Sequence, residues 1–280
     1  MTRAADLHLH TRHSDGTFTP EELVRRAAEA GLACIALTDH DTVAGLAETA
    51  RHCEAAGVEF IPGIELTAHL GQREVHVLGY CISHTEPEFV AQVERFKEAR
   101  AQRVTDMVAK LQKAGVDLQT ADVAGVAGAA CALGRLHVAR ALVNRGFIQH
   151  MDEAFHRFIG KGKPAFVPKT HLNVADAAAL IHKFNGVAIL AHPGVSGLDD
   201  QLDGLLAAGL DGLEVWHSQQ TSKQSKRYLA FAQARHCLVT GGSDCHGLAK
   251  GEALIGSVRL DCAYVERLKE FHVWALSKVS

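Results

Sequence analysis

The residues best suited to chemistry open the chain: Asp6-Leu7-His8-Leu9-His10, then His13-Ser14-Asp15-Gly16. On a β-strand alternate side chains face opposite ways, so Asp6, His8 and His10 share one side and Leu7 and Leu9 the other. A single histidine in such a place is most often a hydrogen-bonded core group. Two on one face, with Asp15 just beyond, make a ligand set for a divalent cation. The device recurs downstream. Apolar stretches end in Thr38-Asp39-His40-Asp41, Pro62-Gly63-Ile64-Glu65, His192-Pro193-Gly194 and Gly241-Gly242-Ser243-Asp244-Cys245-His246, and His76 lies in the alternating run Glu74-Val75-His76-Val77-Leu78-Gly79. The candidate metal ligands are His8, His10, Asp15, His40, Glu65, His76, His192, Asp244 and His246. Six imidazoles and three carboxylates with no thiolate suit manganese, iron or zinc and argue against a cysteine-based structural zinc site. Nine side chains exceed the needs of one ion and suffice for two or three if one carboxylate bridges. Glu65, expected in a tight Pro-Gly turn, is the best placed to bridge. Gly241 and Gly242 are expected to make the turn that brings Asp244 and His246 inward. Cys245 between them reads as a packing residue.

The elements that must position these residues follow an α/β rhythm. Thr19 caps a helix that Pro20 opens and Gly31 ends. Buried or alternating runs over residues 33–37, 58–61, 74–79, 187–191, 210–216, 237–240 and 255–260 read as strands, with helices between most of them. About seven strands alternating with helices predict a (β/α) barrel one unit short of eight, whose strand C-terminal ends build the site. A flat doubly wound sheet is the alternative, but its single crevice does not gather so many strand ends. The rhythm breaks over residues 87–167, where no strand is convincing. Phe89, Val93, Phe96, Val104, Met107, Val108 and Leu111 make an amphipathic helix, with a bend near its middle, that runs to Gly115. Three further helices follow before the α/β pattern resumes. The predicted organisation is a barrel domain of residues 1–86 and 168–280 and a helical insertion domain of residues 87–167.

Composition narrows the partners. With 280 residues, 47% hydrophobic and 22% charged, the chain has the make-up of a soluble globular protein with a sizeable core. A net charge of −3 gives no reason for a non-specific nucleic-acid or membrane surface, so an anionic substrate must be held by a local site. No signal sequence is expected ahead of the first strand, and no apolar run is long enough to span a bilayer. Seven scattered cysteines without a CxxC pair point to reduced thiols and a cytoplasmic location. No protein partner is evident.

The motifs DLHLHTRHSDG, TDHD, PGIE, HVLGY, AHPG and GGSDCH, in that order, resemble those of the polymerase and histidinol phosphatase (PHP) superfamily. The resemblance covers the whole chain except the insertion. It implies a distorted (β/α)7 barrel and three divalent metal ions, manganese first, with iron or zinc as alternatives. By that resemblance His8, His10, Glu65 and Asp244 form one site. Glu65, His76 and His192 form a second, and Asp15, His40 and His246 a third. Asp6 and Asp39 then stand behind the ligands and orient neighbouring imidazoles. Such a centre hydrolyses a phosphoester without a side-chain nucleophile, through a hydroxide bridging two metals. The proton donor to the leaving oxygen is left open between a metal and a nearby histidine.

Gly134-Arg135-Leu136-His137 and the run from Lys161 to Lys169 resemble a subgroup acting on nucleotide phosphates, including nucleoside 3′,5′-bisphosphates and short RNA ends. Arg135 is suited to grip a phosphate bidentately and Lys169 to supply a point charge, with His171 and His217 as further residues facing the pocket. The leading expectation is a metal-dependent phosphoesterase that removes the 3′-phosphate of a 3′,5′-bisphosphate and leaves an AMP-like product. Histidinol-phosphate phosphatase and 5′–3′ exoribonuclease on short RNA are the rivals. C–N hydrolysis of the amidohydrolase type also begins with His-x-His, but the shared ligand here is a glutamate and the third site has no role there.

Overall fold

The computed structural model describes residues 3–71, 73–127, 132–168, 172–249 and 251–279. Its strands are β1 (Ala4–Asp6), β2 (Cys34–Leu37), β3 (Glu59–Leu70), β4 (Arg73–Tyr80), β5 (Val187–Leu190), β6 (Gly212–His217), β7 (Leu238–Gly242) and β8 (Leu260–Asp261). They form one sheet in the order β7-β6-β5-β4-β3-β2-β1-β8. The sheet curls until Leu7 N–H donates to the Gly241 carbonyl at 3.1 Å and Leu9 bridges to Cys245, so the stretch beyond β1 lies against β7. The result is a nearly closed, distorted barrel with helices on its outside, as the α/β rhythm predicts.

The distortion lies in strand direction. β1 to β3 run parallel, as do β5 to β7, but β4 is antiparallel to both β3 and β5. Alternation has the same period in either direction, so the sequence pattern does not reveal the reversal. The hairpin turns at Gly71, whose φ of 59° favours glycine. Glu65 is not in a tight turn: β3 runs unbroken through Pro62 and Gly63. A Cβ on Gly63 would stand 3.0 Å from the Gly79 and Leu37 carbonyl oxygens, so this glycine serves close strand packing. Gly241 and Gly242 likewise end β7 and make no turn. A Cβ on Gly242 would lie 2.3 Å from His8 Cβ, so it is the closure of the barrel that requires glycine there. The predicted final strand shrinks to two residues, antiparallel to β1. Regular β1 ends at Asp6, and beyond it Leu7 and Leu9 fall into different apolar clusters rather than sharing a side.

The helix Pro87–Lys113 is continuous over 27 residues. Phe89 and Val93 pack into the barrel core with Ile181 and Phe184, whereas Val104, Met107, Val108 and Leu111 pack with Val138, Leu142 and Ile159. The apolar stripe lapses between them because Arg100 and Arg103 occupy its positions, both buried. That lapse, not a bend, is what the sequence pattern registers. The second core draws its buried residues from Val104 to Ala165. No described helix is long and apolar enough to cross a membrane. The six described cysteines carry free thiols, and Cys245 is fully buried in an apolar cluster.

Candidate metal centre

Glu65 is the hub. Held in the middle of β3 and fully buried, it places Oε2 at 3.3 Å from His8 Nε2, 3.3 Å from His10 Nε2 and 3.0 Å from His40 Nδ1. Its Oε1 lies 2.8 Å from His76 Nδ1 and 3.2 Å from His192 Nε2. The reversed β4 delivers His76 from within the strand, and the other imidazoles come from stretches that follow strand ends. Asp244 Oδ1 stands 3.4 Å from His8 Nε2 and 3.1 Å from His10 Nε2. Asp15 lies 3.3 Å from His246 Nε2 and 3.8 Å from His40 Nε2. The nine predicted ligand positions thus converge. His8, His10, Glu65 and Asp244 form one tight group, His10, Asp15, His40 and His246 a second, and His40, Glu65 and His76 a third. The groups overlap at His10, His40 and Glu65, and His192 stands beside Glu65 outside them.

The donor set fits divalent cations. His8 Nε2, His10 Nε2, Asp15 Oδ1, His40 Nδ1, Glu65 Oε2 and His76 Nδ1 are buried yet make no hydrogen bond of good geometry. Leaving such atoms unsatisfied costs roughly 1–3 kcal/mol each. All are nitrogen or oxygen donors facing one space, so cations satisfy them together. Charges in the cluster respond accordingly. Burial alone would raise the Glu65 carboxyl, but His40, His76 and His8 outweigh it and hold it well below its ordinary range. Asp15 is held down in the same way, by His40 and His246. Burial pushes His8 down, but Glu214, Glu65 and Asp244 raise it well above its ordinary value. His10 and His76 rise to about 9 against their own burial, through Asp244 and Glu65 for His10 and through Glu65 and Glu74 for His76. His40 goes the other way, to about 3, because burial wins over Glu65 and Asp15. A cation held here would compete with protons for these imidazole nitrogens, so its affinity should rise with pH.

The groups behind the ligands differ in part from expectation. Asp6 meets no imidazole among the described residues. Its oxygens accept from the backbone N–H of Ser243 at 2.8 Å and of Gly256 at 3.1 Å, which fixes the loop carrying Asp244. Oδ1 also accepts from the backbone N–H of His8 at 3.4 Å, so this carboxylate is taken up by amides rather than by a ring. Asp39 accepts from Thr11 N–H at 2.8 Å and from the Ser14 hydroxyl, and Ser14 Oγ lies 3.5 Å from His10 Nδ1, so it acts on His10 through Ser14. Glu214, which sequence reasoning did not single out, touches two ligand residues. Its Oε1 lies 3.0 Å from His8 Nδ1, and Oε2 accepts from His192 N–H at 2.8 Å. An acid within the apolar strand 212–217 was its only signal. Backbone strain gathers here: His192, Asp244 and Asp41 have φ of 28°, 53° and 50°.

The centre opens into a cavity of about 250 Å³. Its far wall comes from the helical segment: Arg100, Arg103, Arg135, Leu136 and Phe155. Arg135 lines the cavity, and its Nη2 donates to Glu74 Oε1 at 2.8 Å. Arg100 donates to Asp41 Oδ2 at 2.7 Å. Arg103 donates through Nε to the Val167 carbonyl at 2.9 Å, and no carboxylate lies within ion-pair distance of it among the described residues. Burial, followed by the nearby Arg135, pushes this guanidinium down to about 10. Arg100 and Arg103 were missed, although their place on an apolar helical stripe was the signal. His217 lines the same cavity, while Lys169 and His171 lie outside the described residues.

A family model for the PHP domain matches residues 6–197. The chain belongs to the PHP domain family. It is 33% identical over 263 residues to a 3′,5′-nucleoside bisphosphate phosphatase of Chromobacterium violaceum, covering 90% of each chain. It is 35% identical over 251 residues to the 5′–3′ exoribonuclease Rnm of Escherichia coli, covering 86% of this chain and 84% of that protein. Among solved structures, a candidate metal-dependent phosphoesterase of Bifidobacterium adolescentis superposes with a TM-score of 0.87 at 33% identity, covering 95% of both chains. This PHP protein is therefore a metal-dependent phosphoesterase.

Proposed function

We propose that the protein removes the 3′-phosphate from nucleoside 3′,5′-bisphosphates, releasing an AMP-like nucleotide and phosphate, with three manganese ions at its centre. The observation that carries the reading is Arg103, a buried guanidinium without a carboxylate partner among the described residues, in the same cavity as the metal-binding groups. A bisphosphate needs two anion sites, and Arg103 supplies the second. Divalent ions at the first site supply Lewis acidity that polarises phosphoryl oxygens and lowers the pKa of water. His8, His10, Asp15, His40, Glu65, His76, His192, Asp244 and His246 would hold them. Arg103 anchors the distal phosphate, and Glu74 keeps Arg135 at the cavity wall beside it. Histidinol phosphate fits worse, because three guanidinium groups face the ammonium that it carries. The 5′ end of a short RNA is the second reading, supported by the similarity to the exoribonuclease of Escherichia coli.

The test is to incubate manganese-loaded protein with adenosine 3′,5′-bisphosphate, histidinol phosphate and a 5′-phosphorylated dinucleotide, following release of phosphate and AMP. Preferred release of phosphate and AMP from the bisphosphate is expected. Equal, slow turnover of all three removes the substrate assignment and leaves the phosphoesterase intact.

A further inference from the structure

Each imidazole has two ring nitrogens, and the partner of the far one decides what the near one offers. His8 Nδ1 faces the Glu214 carboxylate at 3.0 Å, and His246 Nδ1 faces the Asp244 carbonyl at 2.9 Å. His76 Nε2 faces Glu74 Oε1 at 3.4 Å. His10 Nδ1 faces Ser14 Oγ, whose own hydrogen goes to Asp39. Each of these partners accepts a hydrogen, so the nitrogen turned to the centre keeps its lone pair for a cation. His40 meets carboxylates at both nitrogens, and the Ser196 hydroxyl beside His192 Nδ1 can accept as well.

His217 is wired the opposite way. Its Nδ1 accepts the backbone N–H of Gln219 at 3.1 Å. A backbone amide only donates, so Nδ1 holds the lone pair and the neutral ring carries its hydrogen on Nε2. That Nε2 is buried, makes no hydrogen bond of good geometry and lies 3.4 Å from Asp244 Oδ2. The rings of His8 and His192 pack edge-on against His217 at 6.1 and 5.3 Å, which holds its plane. Turning the ring over would forfeit the Gln219 bond. Asp244 is thereby divided: Oδ1 faces the ligands His8 and His10, and Oδ2 faces His217.

We propose that His217, although ringed by metal-binding groups, is not a ligand but a fixed N–H donor to a phosphoryl oxygen of the anion at the centre. The assignment rests on the phosphoesterase reading and not on which nucleotide is the substrate, so inorganic phosphate is a sufficient probe. His217→Met removes the donor, His217→Gln keeps one, and His246→Ala is the ligand control. Manganese content is measured by elemental analysis and phosphate affinity by calorimetry on loaded protein. Both His217 variants should retain the wild-type metal content, while His246→Ala loses metal. His217→Met should weaken phosphate binding roughly tenfold or more, the size expected of a hydrogen bond to a charged group, and His217→Gln should recover most of it. Loss of a metal equivalent in His217→Met, or an unchanged phosphate affinity, overturns the proposal. If the variants fail to fold, nitrogen-15 histidine spectra of the zinc-loaded wild type decide. A hydrogen on Nε2 supports the assignment, and one on Nδ1 overturns it. Failure to cleave the bisphosphate bears only on the nucleotide reading.

Discussion

The two walls of the cavity are both charged and both buried, yet they are built on opposite plans. On the barrel wall, carboxylates and imidazoles crowd round Glu65 with donor atoms left unsatisfied, an arrangement that only cations complete. On the helical wall, Arg100 and Arg103 are each anchored by a backbone carbonyl, at 2.8 and 2.9 Å, so their heads are fixed before any substrate arrives. Two of the three guanidinium groups there are neutralised by barrel carboxylates, Arg100 by Asp41 and Arg135 by Glu74. In the proposed function the barrel wall supplies reactivity and the helical wall selection, and the two ion pairs join them.

Breaking the barrel wall should have the largest effect. Asp244→Ala or His40→Ala should lower kcat/KM by about 10³-fold or more, the several kcal/mol that a catalytic metal contributes. Far-UV circular dichroism should stay unchanged, and if ellipticity falls in step with activity the side chains are structural instead. Next comes the seam. Arg100→Met leaves Asp41 buried without its partner and should reduce stability in urea by about 3–5 kcal/mol; a shift under about 1 kcal/mol would mean that water reaches the pair. Behind the ligands, Glu214→Gln should weaken manganese binding about 10–100-fold in a calorimetric titration. On the helical wall, Arg103→Met should raise KM for the bisphosphate about tenfold or more, with hydrolysis of p-nitrophenyl phosphate nearly unchanged. Equal losses on both substrates would end the division of labour. The smallest effect concerns pH in chelator-treated protein. His10 and His76, raised to about 9, favour the folded state below their ordinary value of 6.5 and lose that contribution as pH rises towards 9. His40, depressed to about 3, opposes folding as pH falls below 6.5. Thermal unfolding of the cation-free protein should therefore be most resistant near pH 6.5, and manganese should flatten the fall on the alkaline side.

The barrel and its ligand positions were legible because one local pattern, apolar run then histidine or acid, repeats along the chain. The direction of β4 was not, since period-two alternation is blind to direction. Gly242 looked like a turn residue because the approach of His8 comes from 234 residues away in the chain. Asp6 and Asp39 were recognisable as supports, but whether a carboxylate holds a ring or a loop depends on what the fold brings opposite it. Arg100 and Arg103 were hidden by the habit of assigning helical charge to solvent. Their spacing from Phe96 to Met107 follows the apolar stripe and in retrospect marks them as interior.

The helix Pro87–Lys113 is embedded in one core at its start and in another at its end. A rod of 27 residues, about 40 Å long by helical rise, does not flex where it is gripped on both sides. It carries Arg103 between the two grips, so the gap between that guanidinium and Glu65 is a calliper set by the backbone. Under the bisphosphate proposal, that fixed gap selects phosphate esters by length.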